Sequence, residues 1–231
     1  MRPEFELYFW PVATVLAYVL ARWLYSRRPC LWTSTLVMAP ALLLALAIWL
    51  HVGYSDYMLG SHWLMLMLGP VLVAFALPLY EQRAMILRYW PILAAGIVVG
   101  SVIAGVSAWL LGSLLDLPTG LRLSLLPRSM ATPFAMSVSS HVGGTPDLTA
   151  VFVIVTGVLG ASIGQWLRAW LPLRSSLARG ALFGMGAHGA GTAKARELAA
   201  DEGAVAGLVM VMAGLFNVLV TPYVVYGLMS L

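Results

Sequence analysis

The sequence predicts an all-α polytopic membrane protein of about seven transmembrane helices plus a re-entrant segment, arranged as an inverted repeat with two broken helices. Three observations carry this expectation. Of 231 residues, 61% are hydrophobic and only 10% charged, against about a quarter charged in a soluble domain. Charge-free runs near the roughly 20 residues that cross a bilayer core fall at 7–21, 31–50, 62–80, 89–115, 148–167 and 203–231, and a seventh candidate, 177–199, is apolar only in its first half. Runs starting near 31, 62 and 89 recur near 148, 177 and 204, displaced by roughly 115 to 117 residues.

The first span, 7–21, follows "MRPEFELYFW", in which Glu4 and Glu6 stand where a signal peptide would carry basic residues; it reads as a retained helix. Arg22, Arg27 and Arg28 follow it, Arg83 and Arg88 follow the third run, and Arg168, Arg174 and Arg179 surround the junction after 148–167. Basic residues mark cytoplasmic loops, so these loops are expected inside and the N-terminus outside. The net charge of +4 then belongs to membrane orientation, and nucleic acid is not an expected partner. Cys30, the one cysteine, offers neither a disulfide framework nor a metal cluster.

The whole chain, 1–231, reads as one transmembrane domain with repeat units at about 31–115 and 148–231 and the re-entrant segment at 116–146. Both middle members are interrupted, the first by Gly69-Pro70 and Pro78, the second around Gly184 to Gly191. The orientation above runs the first from outside to inside and the second from inside to outside. Paired interruptions in the two halves of an inverted repeat point to a transporter's binding site.

The segment 116–146 is too polar and too broken by Pro and Gly for an ordinary span, yet too apolar for a simple loop. Such a backbone is tolerated at membrane depth only where protein or water satisfies it. Its "PRSMATPFAM" places Arg128, Ser129 and Thr132 before Pro133, and "HVGGTPDLTAVFV" adds Gly143, Gly144, Thr145 and Pro146. Ordinary capping and turn chemistry accounts for these residues. So does a polar surface with free backbone donors, beside which Arg128 holds a carboxylate bidentately.

"GMGAHG", Gly184 to Gly189, spells G-x-G-x-x-G without the preceding strand and soluble βαβ unit that a dinucleotide fold requires. The glycines are read instead as close helix packing or as a helix break at Gly189 and Gly191. A break exposes N–H groups that, with the helix dipole, bind an anion. His188 and Thr192, four apart, are then candidate ligands, His188 being alternatively a histidine satisfied by a neighbouring carbonyl. The charged "AKARELAADEG" is expected to be a solvated helix end with a Lys194–Glu197 contact, and the same orientation leaves Arg122, Arg128, Lys194 and Arg196 outside or within the protein.

All nine acidic residues lie near the ends of apolar runs, which argues against a buried carboxylate relay. No Ser-His-Asp set, carboxylate pair or Cys/His ligand set points to an enzyme, a metal or a cofactor.

With these residues in hand, the chain resembles the LrgB/CidB family of bacterial membrane proteins, whose plant plastid relatives include the glycolate/glycerate transporter. The carrying pieces are "GPVLVAFALPLYEQ" at 69–82, "PRSMATPFAM" at 127–136, "GGTPDLTAVFVIVTGVLGA" at 143–161, "ARG" at 178–180, "AHGAGTAKA" at 187–195 and "EGAVAGLVMVMAGL" at 202–215. The resemblance implies a bacterial cytoplasmic (inner) membrane protein that carries a small monocarboxylate such as glycolate, glycerate or pyruvate. It equally implies an antiholin-like regulator of murein hydrolase export and autolysis, working with a small LrgA/CidA-type partner. The family commonly has Lys where Arg128 stands, Thr where Ala131 stands and Ser where Ala187 stands. In the carrier reading Arg128, Ser129 and Thr132 meet the substrate from one side and His188 and Thr192 from the other, while Gly143, Gly144, Gly189 and Gly191 permit close approach. A chain this short leaves little mass for both a moving unit and a scaffold, so a homodimer is expected.

Overall fold

In the computed structural model, residues 3–28, 30 and 32–229 are described; residue 31 of the second expected span and residues 230 and 231 of the last lie outside them. The described residues form helices and no strand, as an all-α membrane protein requires. The chain divides into two compact units, Met1–Val71 and Leu72–Leu231.

In the first unit α1 (Pro3–Arg27) packs on α2 (Thr35–Trp49) and α3 (Tyr54–Gly60). Trp10 is buried there with its ring edge-on to Tyr57 at 5.1 Å. No residue of α2 is buried, as expected of an apolar helix facing lipid. The third expected run is a chain of short helices, α4 (His62–Leu66), α5 (Leu68–Ala74) and α6 (Ala76–Glu81). Proline lacks an N–H and collides with the carbonyl four residues earlier; α4 and α5 end at Leu66 and Ala74, four residues before Pro70 and Pro78.

The second unit is built on three long helices, α7 (Arg83–Leu114), α10 (Pro146–Trp170) and α12 (Ala200–Met229). Between them lie two segments that double back. The first comprises α8 (Thr119–Leu125), a 3-10 turn (Leu126–Ser129), extended Met130 and Ala131, and the returning α9 (Thr132–Val142). Its two ends touch, because the Thr145 N–H donates to Ser124 Oγ at 2.7 Å.

The second is α11 (Ser176–Leu198), broken at His188, whose φ of 38° and ψ of −118° are not helical. In a straight helix Phe183 and Gly191 stand about 12 Å apart along the axis. Here a Cβ on Gly191 would run into the Phe183 carbonyl, so the arm 189–198 folds back on the arm 176–187. This corrects the expectation that 177–199 crosses the membrane. The sequence signals a break there but not the reversal. The pairing of 62–80 with 177–199 is also not reproduced, since one is a chain of short helices and the other a hairpin; the counterpart of α11 in shape is 119–142.

Four stretches among the described residues are long and apolar enough to span a bilayer: His62–Glu81, Arg83–Leu114, Pro146–Trp170 and Ala200–Gly227, with Thr35–Trp49 shorter. Small residues let the hairpins approach α10 and α12 closely. Gly157, Gly160 and Gly164 of α10 face His188, Gly186 and Phe183, while Gly180 and Gly184 of α11 lie against Val205 and Ala206 of α12. The apolar core between the first hairpin and its neighbours gathers Phe134, Val138 and Val142 of α9 with Val153 of α10 and Val211 of α12.

Candidate functional site

The two hairpins enter the second unit from opposite ends. At one end three fully buried hydroxyls tie the base of the first hairpin to α10. Thr149 Oγ1 lies 2.9 Å from the Ser124 carbonyl and shares a hydrogen bond of 2.7 Å with Ser139 Oγ, while Ser124 Oγ donates to the Gly120 carbonyl at 2.7 Å. Tyr226, near the end of α12, donates to the His141 carbonyl at this same end.

At the other end Glu202, in the first turn of α12, is buried and accepts two hydrogen bonds of 2.8 Å from Arg168 at the end of α10. Arg179, in the first turns of α11, approaches the same carboxylate at 3.4 Å. Sequence reasoning placed Glu202 on a solvated helix end; the neighbours that bury it come from α10 and α11. Lys194 and Arg196 return to this end with the second arm of α11, and the Arg196 backbone lies where a Cβ on Gly203 would stand. Their expected position away from the Arg168 and Arg179 cluster is thereby corrected. Lys194 does bond Glu197 at 3.2 Å.

The tips meet inside. His188 is buried, its imidazole sits against the Arg128 main chain, and its Nε2 has no partner among the described residues. Opposite it on α10 is Gly157, where a Cβ would lie 3.5 Å from His188 Cε1. Gly157 is about 12 Å along the axis from Thr149 and about 16 Å from Arg168, so the junction lies midway between the two ends. A positive φ at a non-glycine residue costs on the order of 1–3 kcal/mol and tends to cluster at functional sites; His188 stands at such a position, on the corner of the hairpin.

The half-buried Arg128 donates from Nη2 to Ser107 Oγ of α7 at 3.1 Å, while its buried Nε has no partner. Ser129 lines a cavity beside this tip. Thr132 and Pro133 open α9, whose N-cap, Ala131, makes no side-chain capping bond. Thr192 donates back to the His188 carbonyl at 2.8 Å, which commits its hydroxyl to its own helix. Gly189 is exposed with open space at its Cβ position, whereas Gly191 is buried against Phe183.

Gly143, Gly144 and Thr145 lie elsewhere. Gly143, with φ of 85°, ends α9 in the left-handed conformation; the Gly144 N–H bonds the Ser139 carbonyl at 2.8 Å; Thr145 precedes α10. They form the base of the hairpin, about 16 Å along α9 from its start. The structure therefore brings Arg128 of one tip to His188 of the other, with Ser129, Thr132 and Pro133 following on the first tip and Gly189, Gly191 and Thr192 on the second, and leaves Gly143 to Thr145 at the hairpin base.

Two half-helices begin at this junction, α9 at Thr132 and the second arm of α11 at Gly189. The first N–H groups of a helix lack intrahelical partners, and the positive end of its dipole lies there. With Arg128 alongside, the junction gathers positive helix ends and a guanidinium, a combination suited to an anion. Among the described residues no three His, Cys, Asp or Glu side chains are grouped to hold a metal ion.

Residues 14–226 match the LrgB-like family. An uncharacterized protein of Bacillus subtilis (strain 168), YwbG, is 42% identical over 91% of this chain and 93% of its own length. The holin-like protein CidB of Staphylococcus epidermidis is 30% identical over 82% of this chain and 85% of its own. The antiholin-like protein LrgB of Bacillus subtilis is 29% identical over 96% of each. No solved structure matches.

Proposed function

The chain belongs to the LrgB-like family, and from that premise we propose that it is a membrane carrier of a small monocarboxylate, of the glycolate, glycerate or pyruvate class, working by alternating access. The observation that carries this reading is the meeting of the two hairpin tips, with His188 against the Arg128 main chain. Two half-helix N-termini and a guanidinium converge where none of the described residues supplies a carboxylate, and a carboxylate ligand completes that charge arrangement. In this reading Arg128, Ser129 and the free N–H groups of α9 hold the carboxylate from one side, and His188 with the N–H groups after it from the other.

The topology that follows has six crossings and two hairpins. Arg83, Arg88, Arg168, Arg174, Arg179, Lys194 and Arg196 gather at one end of the second unit and Arg122 at the other, so the basic end faces the cytoplasm of a bacterial inner membrane and the N-terminus lies outside. The hairpin-and-helix pairs 119–170 and 176–229 form the inverted repeat. One hairpin opens the junction to each side in turn, against a scaffold to which a second copy of the chain contributes.

A second reading, an antiholin-like regulator of murein hydrolase export and autolysis acting through an LrgA/CidA-type partner, is supported by the names of the holin-like and antiholin-like relatives. Uptake of labelled glycolate, glycerate and pyruvate into proteoliposomes holding this chain alone separates the two. Saturable uptake that is lost in Arg128→Ala at normal insertion supports the carrier. Silent vesicles, together with autolysis that changes only when the partner is present, support the regulator.

A further inference from the structure

A groove of about 360 Å³ runs between α7 and α12. Its rim at Val102, Val106, Leu110 and Val224 is exposed, so in a membrane it opens onto acyl chains. Ser101, Asn217 and Thr221 along it are bonded to one another. Asn217 donates from Nδ2 to Ser101 Oγ and to the Ala213 carbonyl, both at 2.8 Å, and accepts from Thr221 Oγ1 at 3.5 Å. What the groove offers an occupant is therefore mainly an apolar wall. From Ser101 to Leu110 it follows α7 for about 14 Å, close to the ~15 Å depth of hydrocarbon in one leaflet. At the ~30 Å³ that a water molecule occupies in the liquid, its volume holds about a dozen groups of that size, and a methylene is such a group.

The end of the groove at Trp109 carries a charge. One turn further along α7, the Arg122 stem crosses Gly112, where a Cβ would lie 2.8 Å from Arg122 Cγ, and the guanidinium stands 5.3 Å from the centre of the Trp109 ring. Arg122 donates from Nη2 to the Leu117 carbonyl at 3.3 Å. Its buried Nε has no partner, and it makes no ion pair among the described residues. It stands apart from the basic cluster at the opposite end, on the face where basic residues are sparse. An uncompensated guanidinium at the mouth of an apolar groove one leaflet deep is the complement of a phosphate carried on an acyl chain.

We propose that the groove holds one acyl chain of an anionic phospholipid of the phosphatidylglycerol type, whose phosphate meets the Arg122 guanidinium beside Trp109. A zwitterionic headgroup brings its own cation to the phosphate and an anionic one does not, so the anionic lipid gains more from an unpaired guanidinium. Such a site requires α7 and α12 to cross a bilayer and is independent of what the chain carries. In the orientation above it faces the outer leaflet.

Native mass spectrometry of the detergent-solubilised full chain, titrated with phosphatidylglycerol and with phosphatidylcholine of identical acyl chains, tests this. One phosphatidylglycerol per chain should be retained, about tenfold more tightly than phosphatidylcholine. Arg122→Gln should erase that preference and Arg122→Lys should keep part of it. A Cβ on Gly105 meets open space, so Gly105→Leu should weaken both lipids about tenfold while the thermal midpoint of the lipid-free protein stays near that of the wild type. If Gly105→Leu lowers that midpoint, Gly105→Ala takes its place and should weaken both lipids by a smaller factor. Equal retention of the two lipids by the wild type, or a preference that survives Arg122→Gln, overturns the headgroup assignment. Lipid retained unchanged in the Gly105 variants overturns the acyl-chain assignment. With Cys30→Ser as background, Gly105→Cys that crosslinks two copies of the chain and excludes lipid gives the groove to a second chain and overturns both.

Discussion

Arg168 holds Glu202 through two hydrogen bonds of 2.8 Å, one from Nε and one from Nη2, and so fastens the end of α10 to the start of α12. Arg179 joins them from α11, which makes a single buried carboxylate the common anchor of the three elements at the basic end. The opposite end is fastened by neutral hydroxyls, those of Ser124, Ser139 and Thr149. One end can therefore be loosened by removing a charge and the other cannot.

Glu202→Gln keeps the shape and removes that charge. Breaking a fully buried pair costs about 3–5 kcal/mol; because the Arg168 side chain is 27% exposed, a smaller loss of about 2–3 kcal/mol is expected. A fall in the thermal midpoint of the purified protein measures it. Lys194→Gln, which breaks a pair with exposed Glu197, should change the midpoint little, as exposed pairs contribute at most about 1 kcal/mol.

The positive φ of His188 separates stability from function. His188→Ala and His188→Gly both delete the imidazole, but glycine adopts this backbone without steric cost. The Gly variant should be the more stable of the two by about 1 kcal/mol or more, and uptake should be lost in both. Thermal unfolding and uptake measured on the same preparations check this.

Close packing of the second hairpin depends on its missing side chains. Gly191→Ala should destabilise the protein by about 1–3 kcal/mol, the usual cost of overfilling a packed site, because the new methyl runs into the Phe183 carbonyl. Gly186→Ala meets open space and should be neutral or slightly stabilising. Thermal midpoints of the two variants compare them directly.

The reversal of α11 has a topological consequence. A straight helix would set residues 176 and 198 about 33 Å apart, on opposite faces of the membrane. The hairpin sets them on the same face. With Cys30→Ser as background, Ser176→Cys and Leu198→Cys should react with an impermeant thiol reagent from the same side, and Ser140→Cys from the other.

The breaks themselves were legible in the sequence. Pro70 and Pro78 cut the third run where proline sterics require, and the glycines flanking His188 marked the corner of α11. The direction taken after the corner was not legible, because a glycine-rich interruption looks the same whether a chain continues or turns back. Gly143 to Thr145 read as a candidate site because the left-handed glycine and the threonine that close a hairpin base are residue types that also build anion sites. The burial of Glu202 was invisible for a different reason: its partner Arg168 lies on another helix, and local composition around Glu202 is that of an exposed end. The cavity beside Ser129 arises from α7 meeting α12, a relationship no local pattern encodes.

The claim that the two tips share one carboxylate is tested most directly by ligand protection. Thr132→Cys and Gly189→Cys, each in the Cys30→Ser background, place a thiol on one tip at a time. Millimolar glycolate, glycerate or pyruvate should slow maleimide modification of both thiols, with the same concentration dependence. Modification of either thiol at a rate indifferent to every carboxylate, in protein that reacts readily and remains folded, would contradict it.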